Sequence, residues 1–121
     1  MKQLTRISGL LIISALLTCC EGNEHKISVK DSDDTYEFFA KFDKSKTQQV
    51  QDFINAEVAP TSSFSGDNVD ITTTLDDHTK FKLEESPGRV RIELDKGDNS
   101  EASYRRIKKM CEGIKKELGE L

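Results

Sequence analysis

The stretch VDITTTLDDHTKFKLEESPGRVRIEL, residues 69–94, decides which fold the sequence predicts. Apolar and polar residues alternate along it in three runs, the pattern of strands that have one buried face and one face in water. Residues 76–79 separate the first two runs, and Ser86-Pro87-Gly88 separates the last two. Pro87 presets its own φ and Gly88 tolerates a positive φ, so a tight type II turn is expected there. The stretch therefore predicts three consecutive antiparallel strands.

The residues upstream of this stretch add a strand and a helix. Residues 35–43 alternate in the same way and predict a further strand. Residues 45–59 carry apolar side chains at helical spacing, which predicts a helix with one apolar stripe. Its N-terminal cap is expected from a capping box of Ser45 with Gln48, or from Asp43.

A second helix is predicted over residues 99–118, where apolar residues again recur at helical spacing. Asp98 and Glu101 form a capping box before it, and Gly119 is placed to end it. The element order is therefore β-α-β-β-β-α. We expect an α+β two-layer sandwich, in which both helices cover one face of a mostly antiparallel four-stranded sheet. This small α+β domain would span residues 35–121.

The first residues, MKQLTRISGLLIISALLTCC, have the proportions of a secretory signal peptide. Lys2 and Arg6 supply a positive start, and residues 9–18 form an apolar segment that only Ser14 and Thr18 interrupt. Crossing about 30 Å of hydrocarbon takes about 20 apolar residues in a helix. This segment is therefore too short to be a membrane span.

The end of the leader, Leu17-Thr18-Cys19-Cys20, resembles the lipobox of bacterial lipoprotein precursors. The resemblance implies that the Cys20 thiol receives a diacylglyceryl group, that cleavage removes residues 1–19, and that the new amino group is acylated. Cys19 is the alternative modified residue. The chain would then belong to the cell envelope, anchored in a membrane by its acyl chains and facing the periplasm or the exterior. An ordinary secreted protein and an uncleaved hydrophobic N-terminus are the alternatives.

Residues 20–34 would be the lipidated cysteine and a polar, acidic tether that lets the domain stand off the membrane. The short alternation of Ile27 and Val29 leaves a second interpretation open. In that interpretation residues 26–30 form an edge strand, which residues 31–34 turn back towards the domain. The two interpretations differ in whether the sheet has an extra strand.

Length and charge exclude several classes of protein. A chain of 121 residues predicts one domain, which leaves no room for a dinucleotide-binding domain joined to a substrate domain. The formal net charge of -4 argues against a general nucleic-acid binder. Hydrophobic residues make up 35% of the chain, so we expect a thin core.

The sequence offers little material for catalysis or metal binding. Cys111 lies on the apolar stripe of the second helix, so a buried thiol acting as a small hydrophobe is expected. Residues 31–34 begin like a calcium loop, but Tyr36 and Phe42 stand where such a loop needs glycine and glutamate. The sequence contains no Gly-x-Ser-x-Gly, His-Glu-x-x-His or phosphate-loop motif. We therefore predict no enzyme activity, no cofactor and no metal site.

The second helix carries a concentration of positive charge that forms a candidate surface for an acidic partner. A solvated helix face is the alternative interpretation. The residues of this basic face are Arg105, Lys108, Lys109, Lys115 and Lys116. We predict a membrane-anchored, non-catalytic protein-interaction module that has a protein partner and does not bind nucleic acid. The alternative is an exported carrier of a small ligand or ion, with a pocket between the helices and the sheet.

Overall fold

The structure, a computed structural model, describes residues 25–119 and shows five strands and two α-helices. The strands are β1 (Lys26–Asp31), β2 (Thr35–Lys41), β3 (Val69–Thr74), β4 (Lys80–Ser86) and β5 (Arg89–Asp95). The helices are α1 (Thr47–Val58) and α2 (Glu101–Glu117), and short 3-10 turns precede them at Lys44–Lys46 and Lys96–Asp98. The predicted signal peptide and lipidated cysteine, Cys20 or Cys19, lie outside the described residues.

All five strands form one antiparallel sheet in the order β1-β2-β5-β4-β3. A β1–β2 hairpin and a β3-β4-β5 meander meet where β2 pairs with β5. In that central pairing Phe38 lies opposite Ile92, and Ala40 lies opposite Val90. Strands β2 and β3 run in opposite directions, so α1, which connects them, is not the crossover of a parallel β-α-β unit.

The α+β class, the antiparallel sheet and the two helices are confirmed, but the prediction of four strands is wrong. The fifth strand is β1, which occupies residues assigned to the tether, so the edge-strand alternative describes them correctly. Ser32 closes the β1–β2 turn, because its N–H donates to the Thr35 carbonyl oxygen at 2.9 Å. Without β1, one edge of β2 would lack backbone partners. The sequence signal was weak because only Ile27 and Val29 alternate in a strand that is mostly exposed.

Both helices begin two residues later than predicted, because the 3-10 turn Lys44–Lys46 occupies the predicted start of α1 and because Asn99 and Ser100 are extended before α2. Asp43 accepts a hydrogen bond from the Ser45 N–H at 2.9 Å and caps the turn ahead of α1. The box predicted at Ser45 is therefore wrong, and the Asp43 alternative is the observed cap. Ser100, rather than Asp98, caps α2 by accepting from the Ser103 N–H at 3.1 Å.

The hydrophobic core lies between the two helices and one face of the sheet. Alternate residues of β2, β4 and β5 point into it, together with one stripe from each helix. Tyr36, Phe38 and Phe81 are among its largest side chains, and each is at most 2% exposed. Cys111 is fully buried, as predicted, and burial raises the pKa of its thiol. Both helices therefore share one apolar layer with the sheet.

The helices α1 and α2 approach each other closely at Gly113, which faces Phe53. A Cβ atom placed on Gly113 would overlap the outer edge of the Phe53 ring. A glycine inside a helix ordinarily costs about 1 kcal/mol relative to alanine. The missing side chain therefore lowers helix propensity and makes room for the aromatic ring against the backbone of α2.

Replacing Gly113 by alanine should lower the free energy of unfolding by about 1 kcal/mol, although the same change in an open helix is stabilising. The expected loss of stability comes from the overlap between the added methyl group and the Phe53 ring. The Gly113→Ala change should therefore become stabilising in a Phe53→Ala background. A double-mutant cycle followed by urea denaturation measures this reversal of sign. The same sign in both backgrounds would show that the ring does not require the glycine.

Candidate functional site

The sheet has a second face, opposite the helices, which we call the open face. Every second residue of a strand points away from the core, and on this face all of those residues are exposed or half-buried. The open face therefore has no covering layer within residues 25–119. Strand by strand in the sheet order β1, β2, β5, β4 and β3, its residues are Lys26, Ser28 and Lys30; Thr35, Glu37, Phe39 and Lys41; Arg89, Arg91, Glu93 and Asp95; Lys80, Lys82, Glu84 and Ser86; and Asp70, Thr72 and Thr74.

Phe39 and Arg91 lie opposite each other near the centre of the open face. Arg91 Nη2 lies 3.4 Å from Glu37 Oε1, and Arg91 Nε lies 3.1 Å from Glu93 Oε2. Two carboxylates therefore hold the guanidinium group beside an aromatic ring. Aromatic residues and arginine are enriched at the centres of protein interfaces. The sequence signal for this pair is the phase of Phe39, which is apolar at a position where the alternation of β2 calls for a polar residue.

Three surface depressions lie along the open face and measure about 220, 250 and 460 Å³. Phe39 and Arg91 line the two larger ones. The smallest is lined by charged residues that include Lys82 and Glu93. Ligand pockets for small molecules are enclosed and mainly apolar. These open, mixed-charge depressions are better suited to side chains that protrude from a protein.

A carrier would need free space between the helices and the sheet. The side chains that meet there are packed, since Phe38 of β2, Ile54 of α1 and Ile114 of α2 are all 0% exposed. The loop before β3 adds Phe64, which is 5% exposed, to the same layer. This packing favours a binding surface on the outside of the domain over a ligand site within it.

The structure places the predicted basic face along the outer side of α2, away from the open face. Arg105 Nη1 lies 3.0 Å from Glu101 Oε2, so this cation is already paired one turn away. Lys108 Nζ lies 5.7 Å from the centre of the Tyr104 ring. The other members, which form no ion pair within residues 25–119, are Lys109, Lys115 and Lys116. The free positive charge of this face therefore lies towards the C-terminal half of α2.

Asp31, Lys96 and Tyr104 join β1 to the start of α2. Lys96 Nζ donates to Asp31 Oδ1 at 2.7 Å, and the Tyr104 hydroxyl donates to Asp31 Oδ2 at 2.5 Å. Lys96 Nζ also lies 4.5 Å from the centre of the Tyr104 ring. The hydrogen bond from Lys96, followed by that from Tyr104, holds the pKa of Asp31 below its usual range. Asp31, the first residue of the calcium-like motif, thus connects β1 to the start of α2.

Glu85 is a buried carboxylate that the sequence analysis did not single out. It lies on the inward face of β4, continues the apolar phase of Phe81 and Leu83, and is 7% exposed. Its Oε1 accepts a hydrogen bond from Gln51 Nε2 at 2.8 Å, whereas Oε2 has no partner in the described part of the chain. Burial raises the pKa of this carboxyl, against the smaller opposing effect of the bond from Gln51. A carboxylate on the apolar phase of a strand was the signal that would have found it.

The described residues hold no cluster of three or more His, Cys, Asp or Glu side chains that would form a metal site. Over residues 25–119, neither helix is both long enough and apolar enough to cross a membrane. Comparison of this chain with protein-family models, with curated proteins and with solved structures finds no match. The leader motif and the surfaces of the domain are therefore the features of this chain that bear on its function.

Glu85→Gln should raise the free energy of unfolding by about 1 kcal/mol at about pH 8, because it removes a charge that burial disfavours. A carboxyl whose pKa is raised in the folded state favours folding at low pH and loses that contribution as the pH rises through the folded-state pKa. The gain should therefore shrink as the pH is lowered towards about 4. Urea denaturation at several pH values measures it, with Glu84→Gln on the open face as the control. A gain that is independent of pH would contradict this account.

Proposed function

We propose that this protein is a lipid-anchored envelope protein, held on a membrane through Cys20, whose small α+β domain docks a protein partner on its open face. The leader supports the anchor, because Leu17-Thr18-Cys19-Cys20 resembles a lipobox and follows a signal-peptide-like segment. Two or three acyl chains on one cysteine give a lasting attachment, since one chain alone holds a protein only marginally. The domain itself then needs no membrane-spanning element.

The observation that carries the docking proposal is the uncovered sheet face with Phe39 and Arg91 near its centre. Five strands about 4.8 Å apart and about six residues long give a surface roughly 20 Å on a side. That extent suits a small protein contact. Charges of both signs around a central aromatic ring match the polar rim and less polar centre that protein interfaces share.

The basic face of α2 is the second candidate surface, and it favours an acidic segment of a partner. Lys109 and Lys116 are exposed and unpaired within the described residues, which supports it. It has no exposed aromatic anchor, however, and Arg105 is already paired with Glu101. We therefore place the main contact on the open face.

The anchor is tested by the intact mass of the protein extracted from membranes. We expect a mass that corresponds to residues 20–121 together with acyl chains. Cys20→Ser should abolish the added mass and move the protein from the membrane fraction to the soluble fraction. Cys111→Ser, which alters the buried cysteine, is the matched control and should change neither property. Retention of the Cys20→Ser variant in the membrane, with an unmodified mass, would reject the anchor.

The docking surface is tested by photo-crosslinking in intact cells, with one photoreactive residue at a time. Crosslinkers at Thr72 and Lys82, on the open face, should capture the same protein, and one at Lys109 on α2 should not. Phe39→Ala and Arg91→Glu should each reduce that crosslink by at least tenfold, because central interface residues commonly contribute about 2 kcal/mol. Capture only from Lys109 would favour the basic face. A small molecule that copurifies at one per chain, without any protein crosslink, would favour the carrier.

A further inference from the structure

The two ends of the sheet differ in the chain segments that meet there. At one end β1 begins, β2 ends and β5 begins; we call it the tether end, because the start of β1, the strand nearest to Cys20 in the sequence, lies there. The start of α1 and the end of α2 lie at the same end, since Gln49 Nε2 donates to Glu117 Oε1 at 2.9 Å. The turns that join β1 to β2 and β3 to β4 lie at the opposite end, which we call the distal end.

Three cations stand side by side across the open face at the tether end. Lys26 lies opposite Lys41, and Lys41 lies opposite Arg89. Residues directly opposite on adjacent antiparallel strands have Cβ atoms about 5 Å apart, and like charges in such a pair repel. All three are exposed, and none forms an ion pair with another residue between positions 25 and 119. A surface of opposite charge would relieve this repulsion.

More cations surround this row. Lys44 and Lys46 lie in the 3-10 turn that precedes α1, beside the end of β2. Lys115 and Lys116 lie in the last turn of α2. These four side chains also lack ion pairs within the described part of the chain, so the positive charge extends from the β1, β2 and β5 side of the tether end to the neighbouring ends of the two helices.

The carboxylates of the tether end are fewer, and two of them are engaged. Asp43 accepts the hydrogen bond from the Ser45 N–H, and Glu117 accepts from Gln49. Asp67, in the loop before β3, and Asp70, near the start of β3, are exposed and form no ion pair in the described residues. The donors to Asp43 and Glu117 are neutral, so those charges remain, but within residues 25–119 the cations of this end still outnumber its carboxylates.

At the distal end the balance of charge is reversed, and carboxylates without an ion pair outnumber such cations in the described residues. Lys30, Lys80 and Lys108 are its cations without an ion pair in the described residues, whereas Lys96, Arg105 and Arg106 are paired there with Asp31, Glu101 and Asp77. Its exposed carboxylates that form no ion pair between positions 25 and 119 are Asp33, Asp34, Glu57, Asp76, Asp95 and Asp98. Within residues 25–119 the domain thus has one basic end and one acidic end.

We propose that the tether end lies against the membrane and that its cations bind anionic lipid headgroups, with the acidic distal end pointing away. This inference rests on the proposed lipid anchor at Cys20. Six peptide units separate Cys20 from Lys26, and at full extension they span about 20 Å. The cationic row is therefore held within reach of the headgroups. The strands then stand upright on the bilayer, and the open face is presented sideways to its partner.

The two ends respond differently to the membrane because salt screens the electrostatic attraction between charges that are far apart. The Debye length is about 10 Å at 0.1 M salt, and a strand of six residues is about 20 Å long. Charges at the distal end are therefore largely screened from a surface that touches the tether end. Each lysine or arginine near an anionic bilayer strengthens binding by about fivefold. Several cations at one end suffice to orient a domain that is already tethered there.

Fluorescence quenching of the lipidated protein, reconstituted into vesicles, tests the orientation. A fluorophore is attached to the thiol of Ser45→Cys at the tether end or of Asp33→Cys at the distal end, while the buried Cys111 stays unlabelled. A lipid that carries a spin label on its headgroup is the quencher. In phosphatidylcholine vesicles that contain phosphatidylglycerol, quenching at position 45 should exceed that at position 33 severalfold. In pure phosphatidylcholine the difference should fall.

Charge-reversed variants complete the test. Lys41→Glu with Arg89→Glu should remove most of the difference between the two positions. It makes the pair at positions 26 and 41 attractive and keeps the pair at positions 41 and 89 of like charge, so the cross-strand repulsion does not increase. Lys30→Glu with Lys80→Glu, on the open face nearer the distal end, is the matched control and should leave the difference intact. Equal quenching at the two positions, or equal behaviour in both kinds of vesicle, would overturn the proposal.

The intact mass distinguishes a protein that is anchored but not oriented as proposed from a protein that carries no lipid anchor. A protein without acyl chains rejects the anchor whatever its orientation. A protein that consists of residues 20–121, carries Cys20→Ser and is labelled in the same way is then added to the same vesicles at low salt. Stronger quenching at position 45 than at position 33 would support headgroup binding by the tether end. No quenching at either position would reject it.

Discussion

The pairing of β2 with β5 is the constraint on which the rest of the structure depends. It joins the β1–β2 hairpin to the β3-β4-β5 meander, and it makes one apolar surface on which both helices pack. Because side chains alternate along a strand, the register that sends Phe38 and Ile92 inward also sends Phe39 and Arg91 outward. A slip of one residue would bury an arginine and expose the centre of the core. The packed layer and the open face therefore follow from the same register.

The sequence was most informative where one face of an element is fully buried. Strand β5 alternates without interruption, β4 alternates as far as Leu83, and the helix α2 carries a continuous apolar stripe, so their presence could be predicted from periodicity. Strand β1 was harder to predict because it lies at an edge, where Val29 is 46% exposed and the burial pattern is weak. The cap of α2 was misplaced because Ser100 follows a short 3-10 turn that leaves no periodic signal, whereas Asp43 was one of the two caps predicted for the first helix.

The surfaces were less predictable than the fold because they depend on which strands become neighbours. The residues Lys26, Lys41 and Arg89 are far apart in the sequence and form a row only through the order β1-β2-β5. Glu85 is the same residue type as its half-buried neighbour Glu84, and the two differ only in the face of the sheet to which they point. The basic face of α2, by contrast, was visible in the sequence because one continuous helix presents it.

Contact between distant segments has a consequence for how this chain reaches its compartment. Glu37 and Arg91 are 54 residues apart in the sequence, yet they lie on the two strands at the middle of the sheet. Such a sheet cannot close until most of the chain has been synthesised, and contacts between remote segments slow folding. For the export that we propose, slow closure is an advantage, since an unfolded chain can thread through a translocation channel. The same topology would then delay folding until the polypeptide has emerged on the far side.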